Sequence, residues 1–224
     1  TTSCYNETML TDLVYNDLRE KILSLSLKPG TPLSFTNLKP LYNVSISPIR
    51  DALKRLEGEG LIEIKPQSGT SVALIDFSKV SNERFARLYL ELGAVEKCFE
   101  KGISESLVSK LEEIIQDQHK AFECRDTVSF LNLDDAMHRL FFEECGHQKV
   151  FDFIQANSGN YHRIRMVSYL FDDILINTLS QHEDILKALK KGCLQEVLEL
   201  ERKHISRIEA ETSGYQRSYP QFFK

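Results

Sequence analysis

Asp134 and His138, within "LDDAMHRL" (133–140), set a carboxylate and an imidazole four residues apart in an otherwise apolar run. On a helix, that spacing sends both side chains from the same face. Such a pair can be a catalytic dyad, half of a metal site, or a hydrogen-bonded core pair. Taken singly, His119, His147, His162, His182 and His204 read better as surface or hydrogen-bonded histidines than as ligands. Spacing sets two of them apart. His182 lies ten residues before Gly192 and His204 twelve after it, and a helical hairpin is expected at that glycine. At ~1.5 Å rise per residue the two sit about 15 and 18 Å from the turn, so antiparallel helices bring them to one level. Together with Asp134 and His138 they would make a four-ligand set of three neutral imidazoles and a carboxylate. That set suits a divalent metal such as zinc, nickel, manganese or iron(II). Asp135 should point about 100° away and is not counted.

These residues need helices to hold them, and the second part of the chain supplies them. From about residue 78 there is no strand-like alternation. Amphipathic segments run near 79–101, 104–124, 127–144, 147–168, 171–190 and 194–212, with Gly102, Gly146 and Gly192 at three of the breaks. The expectation is an all-helical antiparallel bundle of about six helices over 79–212. The first part differs. A helix is expected after Thr11, where Leu13, Val14, Leu18, Ile22 and Leu25 keep helical spacing. "LKPGTPLS" (27–34) reads as a turn, and a short helix follows around 35–42. Ser47 and Pro48 then read as N-cap and first helical residue, with Ile49, Ala52, Leu53 and Leu56 as the buried stripe. "LIEIK" and "TSVALI", joined by "PQSG", read as a hairpin. Residues 1–10 and 213–224 are expected to be tails.

Composition leaves the function open. With 42% apolar and 27% charged residues, the 224-residue chain reads as a soluble, cored protein. The five cysteines are scattered and odd in number, which favours reduced thiols and a cytoplasmic location. No apolar run approaches the roughly 20 residues of a membrane span, and no signal peptide is visible. The net charge of −5 is uneven: residues 1–75 hold eight cations and eight anions, the remainder 20 and 25. The first part therefore has no charge deficit to oppose nucleic acid, although its basic footprint is weak.

Three helices and a hairpin make the winged helix-turn-helix order, whose third helix enters the DNA major groove. The face opposite Ile49 and Leu53 offers Ser45, Ser47, Arg50, Lys54 and Arg55. Lys65, Gln67, Ser68 and Gly69 would form the wing tip. From spacing alone, solvation of an exposed helix face explains these cations equally well. The motif is more specific. "NVSISPIRDALKRLEGEGLIEI…SGTSV" resembles the DNA-binding domain of the GntR superfamily of bacterial transcription regulators, matching at Val44, Ser45, Pro48, Arg50, Ala52, Leu53, Arg55, Leu56, Glu57, Glu59, Gly60 and Leu61. The upstream run matches at Ile22, Leu27, Pro29, Gly30 and Leu33. Two positions that carry arginine in the family hold Thr36 and Ile46 here. The resemblance implies binding to a near-palindromic double-stranded DNA operator as a homodimer, with Arg50 as base reader and fewer phosphate contacts than in its relatives.

The helical part is similar to the FCD ligand-binding domain of the FadR branch of that superfamily. Its D-x-x-x-H motif falls on Asp134 and His138, and its two later histidines fall on His182 and His204. The resemblance therefore implies a bound metal, zinc first among the candidates, and a small carboxylate effector. The R-x-x-L-E of its first bundle helix matches Arg87, Leu90 and Glu91. Arg87 is accordingly a candidate for holding that carboxylate, in balance with a simple Arg87–Glu91 surface pair. Arg163 and Arg165 are weaker candidates. His147 replaces the family's asparagine and is not expected to ligate. The expected fold is mainly α, with residues 11–75 as the winged helix and 79–212 as the effector domain. The expected function is ligand-responsive repression. A metal-dependent enzyme acting on a small organic acid, and a regulator sensing the metal itself, remain the alternatives.

Overall fold

A computed structural model describes residues 2–67 and 69–224, with side chains from Glu7 onward. The chain divides into two compact units: the residues up to Phe77 together with Gln216–Lys224, and Ser78–Tyr215.

The first unit contains α1 (Thr2–Leu23), α2 (Phe35–Tyr42), α3 (Ile46–Gly58), β1 (Ile62–Lys65) and β2 (Gly69–Val72). Val14, Leu18 and Ile22 of α1 recur at helical spacing and bury against Ile49, Ala52, Leu53 and Leu56 of α3. Truncating any one of the larger of these would cost about 2–5 kcal/mol. β1 and β2 pair antiparallel, with Ile62 opposite Val72 and Lys65 opposite Gly69. The segment read as a plain turn adds to this hairpin: Leu33 N–H donates to Thr70 O and Val72 N–H to Thr31 O, at 2.8 and 2.9 Å.

Three expectations change here. Residues 2–10 are helical rather than a tail. Leu10 joins the core next to Val14, and Thr11 does not cap the helix but donates its hydroxyl back to Glu7 O at 3.0 Å, one turn earlier. The N-cap of α3 is Ser45 rather than Ser47, which places Pro48 third in the helix, still inside the first turn where its missing N–H costs nothing. The stop after α3 rests on Gly60 at φ +70°, a left-handed conformation, which lets Leu61 N–H close back on Leu56 O at 3.0 Å. Residues 213–224 are not an irregular tail either. α10 runs on to Ser218, a 3₁₀ turn covers Pro220–Phe222, and Ile75 bridges to Phe223. Phe222 and Phe223 are buried, and the Phe223 ring stacks on Phe77 at 4.9 Å.

The second unit holds α4 (Phe77–Lys101), α5 (Glu105–Glu123), α6 (Thr127–Cys145), α7 (Gln148–Ala156), α8 (Gly159–Ser168), α9 (Asp172–Lys190) and most of α10 (Leu194–Ser218). α6 packs against α5, α7 and α8, and α5 against α9. The segment expected to be one helix over 147–168 is two, giving seven helices rather than about six. "NSGN" (157–160) is poor in helix formers. Asn157 turns its side-chain amide onto Phe153 O at 2.8 Å, and Glu83 accepts the freed Tyr161 N–H at 2.7 Å, capping α8 from another helix. Gly192, at φ +69°, makes the reversal between α9 and α10.

Candidate metal centre and nucleic-acid interface

α6 is anchored by Asp126, whose carboxylate accepts the Ser129 N–H at 2.9 Å. Asp134 and His138 project inward from it, one turn apart. His182 comes from α9 and His204 from α10, levelled by the Gly192 reversal. All four are buried, Asp134, His138 and His182 at 0–1% exposure. One donor atom from each lies within 4.8 Å of the others. His138 Nε2 and His204 Nε2 are 3.2 Å apart, His182 Nε2 and His204 Nε2 3.5 Å, and His182 Nε2 and Asp134 Oδ1 3.1 Å. Metal–ligand bonds of about 2.0–2.2 Å at near-tetrahedral or octahedral angles put neighbouring donors about 3–3.5 Å apart. The residues thus fit a divalent ion held by three Nε2 atoms and one carboxylate oxygen.

The far side of each imidazole fixes its orientation. His182 Nδ1 hydrogen-bonds Gln118 Oε1, and His204 Nδ1 hydrogen-bonds Gln181 Oε1, both at 2.9 Å. Each glutamine carbonyl can only accept, so Nδ1 carries the proton and Nε2 is left with its lone pair facing the centre. Burial, then the neighbouring imidazoles and guanidinium groups, push both histidines well below the usual imidazole range, so they stay neutral and ready to ligate. His138 differs: its Nδ1 faces two carboxylates, Glu91 Oε2 at 2.7 Å and Glu201 Oε2 at 3.7 Å. Burial lowers its pKa, but these carboxylates more than offset that and leave it raised. On the fourth ligand, Tyr169 O–H donates to Asp134 Oδ1 at 3.3 Å, and Arg165 pairs with Asp134 Oδ2.

The structure sorts the remaining candidates. Arg87 and Glu91 do pair, at 2.5 Å, yet both are buried, so this is not the surface pair weighed from sequence. Arg87 also reaches Asp135 at 3.3 Å, and Arg165 reaches Asp135 at 2.6 Å. Arg87 and Arg165 thus lie beside the centre. Arg163 is committed elsewhere, donating to Gly159 O and Asn160 Oδ1 at the start of α8. His147 is exposed, and His119 is paired with Glu183 on the surface. Gln118, Gln181 and Glu201 were missed from sequence; only adjacency to His119, to His182 and near His204 marked them.

In the first unit, Ser45, Ser47, Arg50 and Lys54 are exposed on α3, and Lys65 and Gly69 on the wing. Ser68 lies outside the described residues. Arg55 is turned away: it pairs with Asp12 at 2.6 Å and stacks over the Tyr15 ring at 3.8 Å. Ile46 and Thr36, at the two positions where the family resemblance led to an expectation of arginine, are also exposed.

Residues 10–72 match the model of the gntR family of bacterial regulatory proteins, and residues 84–207 match the FCD domain. The chain belongs to the GntR family and carries an FCD domain. The HTH-type transcriptional repressor RspR of Escherichia coli K12 is 34% identical over 178 residues, covering 80% of this chain and 78% of that protein. The gluconate operon transcriptional repressor of Bacillus subtilis is 26% identical, covering 77% and 68%. Among solved structures, E. coli McbR/YncC superposes with a TM-score of 0.71 at 22% identity, over 91% of this chain and 98% of that one, a likeness of fold. This GntR-family regulator is therefore a DNA-binding transcription regulator with a ligand-binding domain, and its relatives are regulators, not enzymes. No helix is long and apolar enough to cross a membrane among the described residues.

Proposed function

We propose that this regulator is a cytoplasmic, homodimeric repressor that reads a near-palindromic operator through α3 and the wing, and whose FCD domain holds a divalent metal, zinc first, together with a small carboxylate effector. The observation that carries the metal is the convergence of three Nε2 atoms and one carboxylate oxygen at ligand spacing, with His182 and His204 oriented from behind by glutamine carbonyls. Asp134, His138, His182 and His204 would hold the ion, which supplies a Lewis-acid contact for an anionic oxygen. Arg87 and Arg165 lie close enough to share a second carboxylate oxygen, exchanging part of their present pairing with Asp135 for the effector. The repressor reading is supported by relatives named as repressors. Effector binding shifts operator affinity only insofar as the effector prefers one arrangement of the protein.

The test is fluorescence anisotropy on DNA selected from a random pool, at moderate salt, with apo and zinc-loaded protein and a panel of small organic acids. The expected result is sequence-selective binding that an acid alters only in the loaded protein. Absence of sequence preference would sink the DNA reading, and indifference to every acid would sink the effector reading. The same ligand set also suits a sensor of the metal itself, for which chelation alone would change operator affinity.

A further inference from the structure

The outward side of His138 differs from that of the other two imidazoles. Glu201 on α10 is fully buried, and neither of its carboxylate oxygens has a hydrogen-bond partner. Glu91 divides its oxygens: Oε1 takes Arg87 at 2.5 Å, while Oε2 has no hydrogen-bond partner. His138 Nδ1 approaches Glu91 Oε2 at 2.7 Å as an ion-pair contact that lies off the line of a well-aligned hydrogen bond. Four buried polar atoms on α4, α6 and α10 therefore converge, and the two Glu201 oxygens among them have no hydrogen-bond partner. Buried polar groups seldom stay unsatisfied, because each costs on the order of 1–3 kcal/mol.

We propose that Glu91, Glu201 and the Nδ1 of His138 form a second divalent-cation site, so that His138 is the shared imidazole of a two-ion centre. This rests on the reading of Asp134, His138, His182 and His204 as the first site. One donor atom from each of the three residues lies within 4.8 Å of the others. Nδ1 to Glu91 Oε2 at 2.7 Å and to Glu201 Oε2 at 3.7 Å bracket the spacing of about 3–3.5 Å that neighbouring ligands of a manganese- or zinc-sized ion adopt. Two carboxylates and one nitrogen make a harder donor set than the first site's three imidazoles, of the kind that suits manganese. Charge also argues for a cation. Of the two carboxylates only Glu91 pairs with Arg87, which it shares with Asp135. When both ions bind, His138 serves as an imidazolate: its Nδ1 proton leaves for solvent, Nε2 keeps the first ion and Nδ1 takes the second.

The experiment is a titration of the full chain with Mn2+, counting bound ions from the loss of the free-ion electron paramagnetic resonance signal. Two ions per chain are expected for the wild type, with the magnetic coupling of ions that share a bridging ring. Glu201→Gln and Glu201→Ala should each hold one, uncoupled, with unchanged helical circular dichroism. One ion in the wild type overturns the second site and leaves the first standing. No bound Mn2+ overturns the second site, and the first is then decided by zinc-dependent thermal stabilisation. Two ions retained in both Glu201 variants place the second ion elsewhere and also overturn the proposal.

Discussion

The two units put their chemistry on opposite sides of their surfaces. In the first, the core is apolar, and Ser45, Ser47, Arg50 and Lys54 stand in solvent. In the second, Asp134, His138 and His182 lie at the centre of the bundle. Under the proposed function, the size of the partner explains the contrast. A DNA duplex cannot be enclosed, so cations must reach out to it and can stay hydrated until it arrives. An ion a few ångströms across can be enclosed, and its ligands must then be kept neutral, oriented and dry. The first unit can therefore lose a functional side chain at little cost in stability, whereas the second couples function to folding.

His138→Ala should break this contrast most severely. It removes a ligand on which both proposed ion positions depend. A ligand at 100 times its Kd stabilises the state that binds it by about 2.7 kcal/mol. Zinc-dependent thermal stabilisation of that order is expected in the wild type and should vanish in the variant, while DNA binding without effector persists. A variant that keeps its zinc-dependent shift would remove His138 from the ligand set.

Next come the groups behind the ligands. Gln118→Leu and Gln181→Leu keep all four donors but free His182 or His204 to turn. Loss of such outer partners typically costs about 10–100-fold in metal affinity. Competition against a chromophoric chelator measures it. Unchanged affinity in both would mean that packing alone holds the imidazoles.

These groups also mark where sequence reading stopped. The four inner donors were legible because helical arithmetic is local: i and i+4 share a face, and a glycine reversal levels two positions. Gln118 is 64 residues from His182. Nothing within one helix says which neighbour will stand behind a ring, so the outer partners appeared only in three dimensions. The same holds for Arg55. On a wheel it belongs near the DNA face, yet Asp12 and Tyr15 draw it onto α1. The break at Asn157 was missed for a related reason, since Glu83 caps α8 from α4. The winged helix was legible because its motif is local in sequence, with the buried stripe of Ile49, Ala52, Leu53 and Leu56 followed directly by the hairpin.

In the first unit, Arg50→Ala should cost about 1–3 kcal/mol on the preferred DNA site and relax selectivity at one base position. Its measure is the affinity ratio of selected to scrambled DNA. An unchanged ratio would hand base reading to another residue.

The smallest effects separate Lys54 from Arg55, adjacent cations with different fates. Lys54 is exposed and suited to a phosphate, so Lys54→Ala should weaken all sequences alike and lower the slope of log affinity against log salt by about 1. Arg55 already has an anion and a ring. Its exposed pair with Asp12 contributes about 0.2–1 kcal/mol and its stacking on Tyr15 about 0.5–1. Arg55→Ala should therefore lower the unfolding midpoint of the first unit slightly and leave the salt slope of DNA binding where it was. If instead the slope falls for Arg55→Ala and not for Lys54→Ala, Arg55 must leave Asp12 when DNA binds, and α1 is part of the interface.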